Sequence, residues 1–184
     1  IRGPQSSLFG RNTMGGVFNI YTLSPLSYQG TRLMAEYGTG NTMRFSAGHY
    51  FKPKSTLGIS LTAQYGSSDG FFTNEFNGEN CDWERQGSGR IKVEYDGGNG
   101  FVMENVAALS VTRQGGYPYR FIDTGAISYN DTCFYRRTTL SDGLTLRFNR
   151  ENFSISSVTS AQYSDDNMTL DQDFLPTDYF TLTQ

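Results

Sequence analysis

Apolar and polar residues alternate along most of this 184-residue chain. A period of two marks a strand whose two faces meet different surroundings. It is clearest over 55–66, where Leu57, Ile59, Leu61, Ala63 and Tyr65 share one face and Gly58, Ser60, Thr62 and Gln64 the other. Over 101–113, Phe101, Met103, Ala107, Leu109 and Val111 oppose Glu104, Ser110 and Thr112. Over 139–149, Leu140, Leu144, Leu146 and Phe148 oppose Ser141, Thr145 and Arg147. Weaker alternation predicts strands near 30–38 (Leu33, Ala35, Tyr37), 41–51 (Met43, Phe45, Ala47, Phe51), 86–95 (Ile91, Val93, Tyr95) and 153–164 (Phe153, Ile155). Helical periodicity is almost absent. The pattern therefore predicts an all-β chain of seven antiparallel strands, each near the length of about ten residues that crosses a bilayer when tilted.

The connections fall into two classes. Lys52–Ser55, Asp96–Gly100 and Asn149–Asn152 read as tight polar turns, whereas 67–85, 114–138 and the stretch from 165 onward are long loops. On the long-loop side only the hairpin at Gly38–Asn41 is short. Short turns on one rim and long loops on the other are the pattern of a transmembrane barrel, which a soluble sandwich has no reason to adopt. Aromatic residues cluster where strands meet the rims: Tyr37, Tyr50, Phe51, Tyr65, Tyr95, Phe101, Phe148, Phe153 and Tyr163. An interfacial girdle predicts that placement.

Composition sharpens this picture. Mean hydropathy is −0.49, yet aromatics make up 15% of residues, with 12 Tyr and 14 Phe, beside 21 Gly. Disordered chains are poor in aromatics, so this one is expected to fold. A net charge of −3 and a pI near 5.1 provide no basic footprint for nucleic acid. The two cysteines, Cys81 and Cys133, are too few for a disulfide scaffold but could form one bridge between loops in an oxidising compartment.

The opening segment, Ile1–Pro25, is rich in glycine and feeds a short apolar run, Val17–Tyr21. It is not a nucleotide cradle. Gly3 and Gly10 have the wrong spacing for a P-loop, Arg11 stands in place of the lysine, and no helix pattern follows. The segment instead resembles the end of the plug domain of TonB-dependent outer-membrane receptors. Arg2, Gly3, Pro4, Leu8, Phe9, Gly10, Gly15, Gly16, Val17, Asn19, Ile20 and Thr22 fall on the family pattern, with Phe18 in place of the commoner Ile.

The resemblance implies that residues 1–25 end a plug and 26–184 begin a transmembrane barrel of about 22 strands. The chain would then be a fragment, with about seven of those strands and no leader of its own. The resemblance places the tight turns in the periplasm and the long loops outside. It also implies TonB as a partner, acting through a plug segment upstream, and outer-membrane lipid around the wall. The cargo would be a scarce small ligand: an iron–siderophore or other metal chelate, haem, cobalamin or a glycan.

The resemblance assigns the plug–barrel contact to Arg2 and Arg11 with Gly3, Gly10, Gly15 and Gly16. Among the expected strands here, Glu104 and Glu36 are local acidic candidates to pair with Arg2. Phe71, Phe72, Trp83, Tyr117, Tyr119 and Arg120 are the candidate ligand contacts on the long loops, since aromatics stack and arginine holds anions. Packing between loops, and contacts of arginines with lipopolysaccharide, explain the same residues without a ligand.

Asp165, Asp166, Asp171 and Asp173 offer hard oxygen ligands but lack EF-hand order, and His49 has no neighbouring ligands in sequence. No metal site, cofactor or catalytic set is expected, and the chain is not read as an enzyme. A surface adhesion protein or a secreted β-sheet enzyme would share the strand pattern, but neither explains residues 1–22.

Overall fold

The computed structural model describes residues 20–178 and 181–184. Eight strands form one antiparallel sheet in chain order, and no helix occurs among the described residues. They are β1 (Gly30–Gly38), β2 (Thr42–Lys54), β3 (Leu57–Ser68), β4 (Glu84–Asp96), β5 (Phe101–Gly115), β6 (Phe134–Arg150), β7 (Phe153–Asp171) and β8 (Thr181–Thr183).

The register keeps each face uniform across the sheet, because directly opposed residues point the same way. One row runs Leu33, Ala47, Ala63, Gly89, Leu109, Leu140, Tyr163 across β1 to β7. The neighbouring row on the other face runs Arg32, Gly48, Thr62, Arg90, Ala108, Ser141, Gln162. A slip of one residue in any strand would invert its set, so the alternation itself pins the register. Among the described residues the only irregularity in the ladders is between Phe51 and Lys54 in β2.

The apolar face has no protein cover among the described residues. Leu33, Phe45, Ile91, Leu109, Leu140 and Tyr163 are all exposed, Leu33 at 70% and Tyr163 at 67%. The buried apolar cluster lies elsewhere, in the loops, and consists of Cys81, Ile127 and Tyr129 with Cys133 packed against it. At the tight-turn end the apolar face carries ring pairs, Tyr95 with Phe101 at 6.3 Å and Phe148 with Phe153 at 6.0 Å.

Three expectations are corrected. Tyr50 turns to the polar face, where its ring meets Tyr28 edge-on at 5.2 Å, because it is out of step with the apolar positions of β2. The strands β6 and β7 extend further toward the loops than alternation predicts, starting at Phe134 and ending at Asp171. Polar side chains there still pair across the ladder: Arg137 Nη2 donates to Asp166 Oδ2 at 3.0 Å. Finally, the stretch beyond 165 is not all loop, since Thr181–Thr183 returns as β8 against β7 and gives eight strands rather than seven.

Candidate functional site

Two long loops, 69–83 and 116–133, leave the same end of the sheet, and with 172–178 they build a cap. Asn74, only 2% exposed, donates through Nδ2 to Tyr129 O at 2.8 Å and accepts from Tyr129 N at 3.2 Å. Glu75 N adds a bond to Ile127 O at 2.8 Å. Asp82 gathers the first loop by accepting from the backbone of Phe71 and Phe72, both at 2.9 Å. Asp171 Oδ1 closes the third segment, accepting from Asp173 N at 3.1 Å and Phe174 N at 2.8 Å. Phe174 is held there in the left-handed region at φ 56°.

Cys81 and Cys133 are free thiols that meet around Tyr129. Cys81 Sγ donates to Phe72 O at 3.2 Å, and Cys133 Sγ accepts from Asp171 N at 3.1 Å. A Cβ on Gly116 would lie 2.4 Å from Cys133 Cβ and 3.0 Å from the Tyr129 hydroxyl, so only glycine lets these segments approach. Burial pushes both thiols and the Tyr129 phenol to higher pKa, and for Tyr129 the adjacent thiols add to the effect.

The aromatic candidates separate into two groups. Phe71 lies against the first hairpin, where its ring would be 2.9 Å from a Cβ on Gly40, and Phe72 beside it is exposed. Tyr117 and Tyr119 lie 5.7 Å apart, and Tyr119 meets Phe174 edge-on at 5.2 Å. Phe174 is a member of this group that alternation and loop composition did not single out. Trp83 sits at the base of the cap, its backbone oxygen accepting from Gly115 N at 2.8 Å. Arg120 turns back on its own loop, with Nη1 3.4 Å from Gly125 O. The structure thus joins Tyr117 to Tyr119 and does not bring Arg120, Trp83 and Phe71 to one point.

At the other end of the sheet the polar face holds a charge cluster in which Lys92 and Glu94 are buried and Glu104 is half-exposed. Lys92 Nζ lies 2.7 Å from Glu94 Oε1 and 3.2 Å from Glu104 Oε2. Glu94 and Glu104 stand directly opposite on β4 and β5, so the ammonium offsets two carboxylates that would otherwise repel. The segment before β1 seals this cluster. Lys92 Nζ donates to Thr22 Oγ1 at 3.3 Å, and the Ser24 hydroxyl donates to Glu94 Oε2. Pro25 is fully buried against Gly58, where a Cβ would come within 2.7 Å of the Pro25 carbonyl carbon and the Leu26 nitrogen.

Arg2, Gly3, Gly10, Arg11, Gly15 and Gly16 lie outside the described residues. Glu104 pairs with Lys92, and Glu36 with Arg44 at 3.8 Å on the exposed polar face. Lys92 and Glu94 alternate with Ile91, Val93 and Tyr95 and so fall on the polar face. Their signal was the unusual run of charged positions at 90, 92 and 94 facing Glu104. Among the described residues no three His, Cys, Asp or Glu side chains converge as metal ligands. His49 is bound to Thr31 Oγ1 at 2.9 Å through Nδ1.

No family model matches the chain. Its fold is similar to that of the ferric yersiniabactin uptake receptor FyuA from Yersinia pestis, with a TM-score of 0.76 over 96% of this chain and 22% identity. This is a barrel-wall fold. The chain spans 28% of the length of that receptor, and the likeness is one of fold. The shared feature is an antiparallel sheet whose strands follow strict chain order.

Proposed function

We propose that the chain is part of an outer-membrane receptor that takes up a scarce small ligand with energy delivered through TonB. Residues 1–25 are the end of its plug and 26–184 the first strands of its barrel. The observation that carries this reading is the uncovered apolar face, continuous over seven strands, with tight turns at one end and long loops at the other. An exposed apolar surface of that extent is a cost in water and an asset in hydrocarbon. The polar face then lines the lumen, and the cluster of Lys92, Glu94 and Glu104 holds the plug's exit segment against the wall.

The loop cap is the outer mouth. Tyr117, Tyr119 and Phe174 offer stacked and edge-on ring faces to a planar or ring-bearing cargo, with Phe71 and Phe72 on a second rim. A metal chelate, haem, cobalamin and a glycan all fit that chemistry. In an oxidising exterior a bridge between Cys81 and Cys133 would tie the two loops together around Tyr129. Peptide mapping without reductant checks the bridge.

The test is uptake by the intact receptor in cells with and without TonB, using panels of these ligand classes. Accumulation of one class that vanishes without TonB supports the proposal. Membrane insertion with no TonB-dependent uptake of any class would favour a surface β protein without transport.

A further inference from the structure

Three arginines stand side by side on the apolar face, one on each of three consecutive strands. Arg85 of β4 is directly opposite Arg113 of β5, and Arg113 is directly opposite Arg136 of β6. Directly opposed Cβ atoms lie about 4.5–5.5 Å apart, and like charges in that relation repel. All three side chains are exposed. Among the described residues none of the three lies within ion-pair distance of a carboxylate.

The contrast with Arg137 is instructive. It is next to Arg136 in sequence but on the polar face, and there it has a carboxylate partner in Asp166. On the apolar face the nearest acid in register is Asp165, opposite Thr138 and one step diagonal from Arg136, at the edge of a cavity of about 240 Å³ that Arg113 and Arg136 also line. The arginines instead lie over rings, Arg136 4.5 Å from the centre of Phe134 and Arg85 5.9 Å from that of Trp83. Stacking fixes the guanidinium planes and leaves their N–H edges free for oxyanions.

Their height fits a membrane boundary. From Phe101 at the tight turn to Val111, the last apolar residue of β5, the strand rises about 33 Å along its axis, or about 25 Å vertically at a tilt near 40°. That is the height of a barrel's apolar band, and Arg113 is the next residue on the same face. A row of cations at the top of the band, facing outward rather than into the lumen, meets lipid headgroups.

The geometry points to a binding site for a phosphate-bearing lipid of the outer leaflet, with Arg85, Arg113 and Arg136 gripping its headgroup phosphates. Arginine forks match phosphate oxygens bidentately, and an anion shared by the row removes the repulsion the register imposes. The site rests on the membrane orientation proposed above but not on cargo uptake.

The test uses the whole receptor in phosphatidylcholine nanodiscs offered diphosphoryl lipid A, the same lipid without its phosphates, or inorganic phosphate, with bound lipid read by native mass spectrometry. The wild type is expected to retain diphosphoryl lipid A and neither of the others. R85Q/R113Q/R136Q should retain at least about tenfold less, a difference of about 1.4 kcal/mol. R85K/R113K/R136K should keep part of the binding, and the polar-face control R90Q/R147Q all of it. Equal retention by the triple Gln variant, by the dephosphorylated lipid, or loss in the control overturns the site. A receptor that transports its cargo yet shows no phosphate preference overturns the lipid site alone. One that fails to insert into bilayers overturns both proposals.

Discussion

Asn74 grips the backbone of Tyr129 from both sides, its carboxamide donating to the carbonyl at 2.8 Å and accepting from the N–H at 3.2 Å. The residues are 55 positions apart, on different loops. Asn74→Ala would leave a buried backbone donor and acceptor unpaired, costing about 2–4 kcal/mol of local stability. Hydrogen exchange should quicken across 69–83 and 116–133 while amides of β1–β5 stay protected. Unchanged exchange in both loops would mean that water or packing replaces the clasp.

Removing the positive member of the wall cluster should be worse than removing the whole cluster. Lys92→Met leaves Glu94 buried and uncompensated, a loss of about 3–5 kcal/mol, whereas K92M/E94L/E104L should fall within about 1 kcal/mol of wild type. Urea unfolding of the intact protein in detergent reads the difference. Equal destabilisation by both variants would show that packing, not charge balance, governs the site.

Gly58→Ala addresses the same wall from the other side. The added methyl would overlap Pro25 and Leu26, which are backbone atoms that cannot swing away. The segment 22–29 should lift from the sheet and become cleavable by protease, with β2 and β3 still paired. Wild-type resistance to cleavage in that segment would count against a tight seal.

In the reduced protein, the cap should loosen in alkali. Burial raises the pKa of Cys81 and Cys133 above 9.0 and that of Tyr129 above 10.0. A raised pKa means that the folded state keeps its proton while the unfolded chain loses it. The stabilisation is therefore whole below about pH 9 and is lost as pH rises through the folded values. Alkylation of both thiols should stay slow up to pH 8.5, then accelerate together with loop exchange. Rapid alkylation at pH 8 would contradict the buried arrangement.

Much of the sheet was legible because the two-residue period is written in single side chains. Leu33, Ala35 and Tyr37 set β1 to within its observed bounds, and Leu57 to Tyr65 fixed the faces of β3. The period faded where β6 and β7 outrun the apolar band, since Arg136, Arg137, Asp165 and Asp166 carry no apolar signal and only the ladder keeps them extended. The cap was less legible. Loop composition identified Tyr117 and Tyr119, but Asn74, Tyr129 and Phe174 act through contacts 40 or more residues distant, which no local pattern encodes. The opposed arginines were visible as residues and invisible as a row, because their adjacency exists only in the register.

The strands do not end level. β2 and β3 have 13 and 12 residues, while β6 and β7 have 17 and 19, although all of these strands turn tightly at the same end. Four to seven extra residues amount to about 13–23 Å along a strand. The long-loop rim of the sheet is therefore cut aslant, low over β2 and β3 and high at β6 and β7. Under the uptake reading proposed above, a ligand arriving over the low side would meet the high one first.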